Sequence, residues 1–452
     1  MAVWSSVEVT SLSKDFRLDA EHYRPEYLAQ EKATTKRRSV ELRTVADVSD
    51  GNHLSIAEEF SESGVRYLRG QDLSDFFISD ADPIYIPEKT YRTLTRSHML
   101  VGDVLVGIVG TIGSVGLVTK RHGDLTGNCK LAIIRARALP AEYIAAYLTS
   151  RIGQNEIQRR IRGAVQMGLI LPDLKTLPIL IPTEKERDAI ANLVKDAERS
   201  RERSRDLIAE ADDLLTDSIG LSHLNLPETL HYERDFTELS AARRMDAEYF
   251  SPRYQTALAI LGKQGRSMGD VANLAQRRFQ PETFKGRGTF QYIEISSLQG
   301  DGLTDAEPIE ASAAPSRAQW IVEANDVITS TVRPIRRLSA LISPRQAGYV
   351  CSSGFAVLEP KKGAAGIEPE VLLTFLRLPI ICEILDLHTT ASMYPAISTA
   401  RLMTIPIATP TKSIRDKVVS RVRAAFDARA EVSRLLDEAK FAIERMVLNE
   451  AK

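Results

Sequence analysis

The sequence predicts an α+β protein: two tandem mixed α/β domains and two long helices forming an antiparallel coiled coil, related by a pseudo-two-fold internal duplication. Three observations predict it. The segment Arg17–Tyr27 returns as Arg244–Tyr254 with six of eleven positions identical, at an offset of 227. Other segments recur at nearly that offset: Gly102-Asp-Val-Leu-Val and Asn325-Asp-Val-Ile-Thr, Glu142–Leu148 and Glu370–Leu376, Leu177-Pro-Ile-Leu-Ile-Pro-Thr and Ile405-Pro-Ile-Ala-Thr-Pro-Thr. A period of half the chain is a tandem duplication, not a solenoid. Finally, each half closes on a charged stretch without Pro or Gly whose apolar residues fall on one helical stripe.

In chain order, each half opens on a helical leader, around 20–35 and 247–262. Short apolar runs follow, punctuated by Gly, Asp and Pro, and Val104–Val109, Leu131–Ile134, Val327–Thr331 and Ala356–Leu358 read as strands. Pro-Ile-Leu-Ile-Pro and Pro-Ile-Ala-Thr-Pro are short extended segments that open into the long helices. The boundaries are residues 1–183 for the first domain with its leader and 184–220 for the first spacer helix. The second domain takes 221–411 and the second helix 412–452. The seam comprises Ile190, Val194, Ala197, Leu207 and Ala211 on one helix. On the other it comprises Val418, Val422, Ala425, Val432, Leu435 and Ala439. Small residues there suit close approach of two helices, and about 33 residues at ~1.5 Å each make a rod of roughly 50 Å.

Composition narrows the function. The chain has 452 residues, 43% hydrophobic and 26% charged, which is the profile of a folded globular protein. Its longest apolar stretch is far too short for a bilayer, and the first residues lack a secretion signal, so a cytoplasmic protein with no membrane partner is expected. Three dispersed cysteines, Cys129, Cys351 and Cys382, exclude a disulfide framework and a Cys-rich zinc site. Basic and acidic residues nearly cancel, 59 against 60, so any nucleic-acid footprint lies in the placement of charge rather than its total.

No catalytic signature is legible. A methyltransferase acting on a base amino group needs an Asn/Asp-Pro-Pro-aromatic motif, and the chain has no Pro-Pro. No phosphate-binding Gly-x-x-x-x-Gly-Lys-Ser/Thr loop occurs. Gly107, Gly110, Gly113 and Gly116 are spaced uniformly by three with no helix following, so they read as turns or close backbone approach and not as a dinucleotide fingerprint. Pro172-Asp-Leu-Lys175 lacks a nuclease partner carboxylate, and the seven histidines include no pair spaced for a metal. No catalytic residue and no metal ligand is nominated.

The run Gly102-Asp-Val-Leu-Val-Gly-Ile-Val-Gly-Thr-Ile-Gly-Ser-Val-Gly-Leu-Val resembles the core of a target-recognition domain. Asp50-Gly-Asn-His and Gly64–Leu73 resemble its opening loop and strand. Ile152-Gly-Gln, Gly163-Ala-Val-Gln and Leu174–Pro182 resemble its closing elements. Duplicated, the chain resembles the specificity subunit of type I restriction–modification systems. The second half departs from the pattern with Thr331-Val-Arg-Pro in place of Gly110-Thr-Ile-Gly. The resemblance implies a non-catalytic reader of a split site in double-stranded DNA. It implies two methyltransferase subunits and restriction subunits as partners, and S-adenosylmethionine, Mg and ATP bound by those partners and not by this chain. The same architecture also serves systems in which one fused polypeptide methylates and cleaves, and a free-standing DNA-binding scaffold is the alternative outside restriction.

Phosphates call for Lys and Arg without neighbouring carboxylates. Val327–Leu358 has no acidic residue and carries Arg333, Arg336, Arg337 and Arg345; the matching Val104–Ala141 carries Lys120, Arg121, Lys130, Arg135 and Arg137 against Asp124 alone. Arg277, Arg278, Lys285 and Arg287 form a further cluster, and Arg159, Arg160 and Arg162 another. Base edges are read by Arg, Asn and Gln, which nominates Asn52, Arg69, Gln71 and Asn128. The acidic helix positions Glu202, Asp206, Glu210, Asp212 and Asp213 are where DNA is not expected and partner docking is.

Overall fold

The computed structural model describes residues 4–448 except 10–11, 13–16, 75, 81, 164, 223, 225–230, 285–287, 299, 364–365 and 391–393. Lys285 and Arg287 therefore lie outside the described residues. Two compact units result, one of Met1–Arg201 with Ala430–Lys452, the other of Glu202–Arg429.

In the first unit, β1 (Ala46–Asp50), β2 (Val65–Leu68), β3 (Ile84–Ile86), β4 (Asp103–Gly107), β5 (Val115–Leu117), β6 (Leu125–Gly127) and β7 (Leu131–Ala136) form two sheets. The central sheet is antiparallel in the order β1-β7-β4-β5, with Leu131 opposite Gly107 and Arg135 opposite Asp103. The second has the order β3-β2-β6, with β2 and β6 parallel, and Met99 bridges to Leu125 beyond β6. All five residues of β4 are buried, which explains an apolar run without alternation. Val104 and Val106 face a core shared with helices, while Leu105 faces a smaller core with Leu68, Met99 and Leu125. The helices are α1 (Pro25–Thr34), α2 (Ala141–Thr149), α3 (Arg151–Gln158) and the start of α4 (Glu184–Ser218). Buried tyrosines on α2 keep their hydroxyls satisfied: Tyr143 donates to the Leu180 carbonyl at 2.9 Å and Tyr147 to that of Pro178 at 2.7 Å.

The second unit repeats this plan. Its strands are β8 (Ala272–Leu274), β9 (Thr289–Ile293), β10 (Glu307–Glu310), β11 (Ala318–Ile321), β12 (Val327–Ser330), β13 (Ser339–Leu341), β14 (Val350–Ser352) and β15 (Phe355–Pro360). The order β8-β15-β12-β13 reproduces the first central sheet strand for strand. The order β10-β9-β14-β11, with β9 and β14 parallel, reproduces the second, the Met99 bridge having grown into β11. Helices α5 (Pro252–Gly262), α6 (Pro369–Arg377), α7 (Pro379–Leu387) and α8 (Lys412–Leu448) stand where α1 to α4 stand in the first copy.

The recurring Gly102-Asp and Asn325-Asp are one turn built twice. Gly102 and Asn325 both take a left-handed φ, +90° and +72°. The following aspartate closes the turn: Asp103 accepts from the Leu100 amide at 2.8 Å, and Asp326 from that of Glu323 at 2.7 Å.

The leader motif is a clamp. Arg17 holds Asp19 through two hydrogen bonds and donates to the Ile161 carbonyl at 3.1 Å. Arg244 holds Asp246 the same way and donates to the Leu387 carbonyl at 2.6 Å. In both copies a guanidinium thus meets carbonyls left over just past or at the end of a helix, where a cation is favoured.

Helices α4 and α8 bury the apolar stripe. Ile190, Val194 and Ala197 join Val432, Leu435 and Ala439 in the core of the first unit; Ala211 joins Val418 and Val422 in that of the second. Ala425 is fully buried and Leu207 half-buried. Within the second unit the two helices run antiparallel, since Ser204 donates to the Ala425 carbonyl at 2.8 Å while Glu210, one and a half turns on, pairs with Arg421, about a turn back.

Candidate nucleic-acid interface

In the first unit one edge of the sheets gathers the loops that leave β1, β2, β4 and β6. The backbone ties them closely. The Asn52 amide donates to the Gly127 carbonyl at 2.7 Å, Asn128 to Leu68 at 3.1 Å, and Ile108 to Lys130 at 2.8 Å. A Cβ on Gly51 would lie 2.2 Å from the Asn128 carbonyl oxygen, so only glycine lets these loops meet. Gly110 and Gly113 turn the chain with φ of +81° and +88°, and Gly107 permits the close approach of Thr111. A hairpin closes the edge: Arg162 and Gly168 exchange backbone hydrogen bonds, and Leu169 donates to Ile108 at 2.9 Å.

Of the nominated residues this edge brings together Asn52, Arg69, Gln71, Asn128 and Lys130. Asn52 is buried and shapes its own loop, its amide group bonding both the Leu54 carbonyl and amide at 2.9 Å. Arg69 is bound to Asp72 at 2.9 Å and to the Asp82 carbonyl at 2.8 Å. Gln71 and Lys130 point into solvent. Lys120 and Arg121 sit at the opposite end of the sheet, after β5, where Arg121 meets Asp80 at 3.0 Å. Arg159, Arg160 and Arg162 are engaged with Glu31, Glu156 and Asp173.

The second unit repeats the edge with different chemistry. Thr331 donates to the Gly354 carbonyl at 2.8 Å, Ile397 to that of Thr331 at 2.9 Å, and Thr390 pairs with Ala396 in the equivalent hairpin. The bend that glycines make in the first copy is here made by arginines. Arg333 and Arg337 take left-handed φ of +49° and +58°, which for a side-chain-bearing residue costs of order 1–3 kcal/mol. The surroundings hold them there: the Arg333 amide donates to Pro395 at 2.9 Å, and the Arg337 side chain reaches the Arg377 carbonyl at 2.6 Å and Asp212 at 3.0 Å. Beneath, Arg377 is buried and donates to the Arg337 carbonyl at 3.2 Å; burial pushes its pKa down.

Arg333 and Arg336 therefore face the edge, and among the described residues neither meets a carboxylate. Arg337 is committed inward. Arg277 is likewise internal, serving as counter-ion to both Asp326 and Glu359. Arg278 is exposed over the Trp320 ring at 5.9 Å. Arg345 lies past β13, opposite the edge, where Arg121 lies in the first copy. Two edge cations escaped the sequence reading: Arg96, exposed and bound to Asp50 at 2.9 Å, and Arg317, whose carbonyl accepts from Ser353 at 2.7 Å. Both precede the strand or bridge that flanks the parallel pair, a position only topology reveals.

Among the described residues no group of three His, Cys, Asp or Glu is placed to hold a metal, and no helix is long and apolar enough to cross a membrane.

No family model and no curated protein matches the chain. Solved structures similar to it include the type I restriction–modification S subunit from M. genitalium, at 13% identity and TM-score 0.40, over 91% of this chain and 94% of that one. The HsdS subunit from Thermoanaerobacter tengcongensis aligns at 16% identity and TM-score 0.30, over 90% and 95%. A structure described as the basis of complex assembly and conformational transition of the type I R-M system aligns at 17% and 0.30, over 91% and 97%.

Proposed function

We propose that the chain is a non-catalytic DNA-recognition protein, the specificity subunit of a type I restriction–modification system. One unit reads each half of a split target, and the chain directs adenine-N6 methylation and restriction by partner subunits. The observation that carries this reading is the repetition of one loop edge on two copies of one scaffold, with the side chains at that edge exchanged. A protein that reads two different short sequences needs a constant scaffold and variable contact residues. In the first unit Asn128, Arg69 and Gln71 have the chemistry for base edges, with Lys130 and Arg96 beside them for phosphates. In the second, Arg333 and Arg336, which among the described residues meet no carboxylate, supply charge, with Arg317 beside them. The resemblance of Gly102–Val118 to a target-recognition core supports the same reading. S-adenosylmethionine, Mg and ATP would belong to the two methyltransferase and the restriction partners, in the cytoplasm.

The test is a methylome. The chain is co-expressed with the methyltransferase encoded beside it in a host without DNA methylation, and N6-methyladenine is mapped by single-molecule sequencing. A split motif that appears only with this chain is expected, and exchanging residues 39–183 for those of another such protein should change one half-site alone. Soluble, co-purifying proteins that methylate nothing would sink the proposal.

A further inference from the structure

The leader repeat retains more than its clamp requires. Arg17 with Asp19, and Arg244 with Asp246, are explained by the clamp, and Tyr23, Tyr27 and Phe250 by burial. The residues between are not. Leu18 and Met245 occupy the same place in the two copies and are 80% and 84% exposed. Ala20 and Ala247, then Glu21 and Glu248, are identical and exposed in both. The Glu21–Arg24 ion pair does not account for the glutamate, because Ser251 stands where an arginine would be needed in the second copy. A further exposed apolar pair, Val9 and Phe236, follows the same offset. Elsewhere the two copies have exchanged exposed residues, Gln71 for Ser296 in the equivalent turns among them.

An exposed apolar side chain followed by Asp-Ala-Glu, kept in both copies of a divergent duplication, is under a constraint from outside the chain. The acidic residues turn DNA away. We infer that this element is a docking site, one in each unit, for two copies of a single partner protein that offers an apolar recess beside a basic group. Resting on the reading above, the occupant is the methyltransferase subunit.

Native mass spectrometry of the full chain with the methyltransferase encoded beside it tests this. The unaltered chain takes up two copies. Leu18→Lys or Met245→Lys alone leaves one, and both together leave none, with the circular dichroism of the chain unchanged. Glu21→Arg with Glu248→Arg, far from any core, weakens uptake by roughly tenfold or more and carries the test if the lysine variants fold poorly. Two copies retained by the double lysine variant, or by the double arginine variant at unchanged affinity, would overturn the inference. So would a self-association of the chain that these variants abolish. Failure of the unaltered chain to bind any methyltransferase would instead bring down the specificity-subunit reading, and the inference with it.

Discussion

At Asp103 and Asp326 the two copies meet one electrostatic problem differently. Each aspartate is nearly inaccessible and closes its turn. In the first unit Arg135, directly opposite on β7, neutralises Asp103 through hydrogen bonds of 2.9 and 2.7 Å. In the second the corresponding position is Glu359, a second negative charge, and Arg277 comes from outside the strand pair to balance both. Removing one partner of a buried pair leaves an uncompensated charge, typically worth about 3–5 kcal/mol. Arg277→Ala should therefore lower unfolding free energy by about 3 kcal/mol in urea titration. Adding Glu359→Arg, which restores the arrangement of the first copy, should recover most of it; no recovery would show that Arg277 acts otherwise. The same residue shows where the sequence was opaque. Arg277 looked like a phosphate ligand because it clusters with Arg278, Lys285 and Arg287 in sequence, yet its counter-ions are 49 and 82 positions away.

Among the elements, the long helices were legible because helical periodicity is local: spacer helices were expected over 184–220 and 412–452, and helices run over Glu184–Ser218 and Lys412–Leu448. The strands were legible as apolar runs for the same reason. The loop edge was not, because it is assembled from four loops and a hairpin whose proximity depends on a parallel pairing between segments some sixty residues apart. The second glycine turn was hidden further, since arginines held in left-handed geometry replace glycines and no propensity predicts that. At the helix seam, Ala197 and Ala211 are fully buried, so added volume has nowhere to go. Ala197→Leu or Ala211→Leu should cost about 1–3 kcal/mol, read as a lowered Tm, whereas leucine at exposed Glu202 should leave Tm nearly unchanged.

The whole molecule carries an acid sensitivity. His22, His122 and His388 are all pushed below the usual imidazole range, first by burial. His122 falls to about 4 with Arg121 and Arg201 nearby, and His388 to about 4 beside Arg401 and Arg244. Groups held neutral in this way add stability that is fully present above the unfolded pKa near 6.5. For His122 and His388 that stability is lost as pH falls through the folded value near 4. For His388, 8% exposed, the difference corresponds to roughly 3 kcal/mol. Burial raises the carboxyls of Asp212 and Asp326, whose contribution runs the other way, present at low pH and lost as pH rises. Urea midpoints should fall between pH 6.5 and 4, and His388→Gln should flatten that fall; an unchanged slope would assign the sensitivity elsewhere. The division of the chain has a consequence for its synthesis. The second unit is a continuous stretch, Glu202–Arg429, while the first needs Ala430–Lys452 to complete its core. A ribosome adding ~5–20 residues per second thus finishes the second unit first. The segment that emerged before it must wait, with Val194 and Ala197 uncovered, for the turns of α8 beyond Arg429 to leave the exit tunnel.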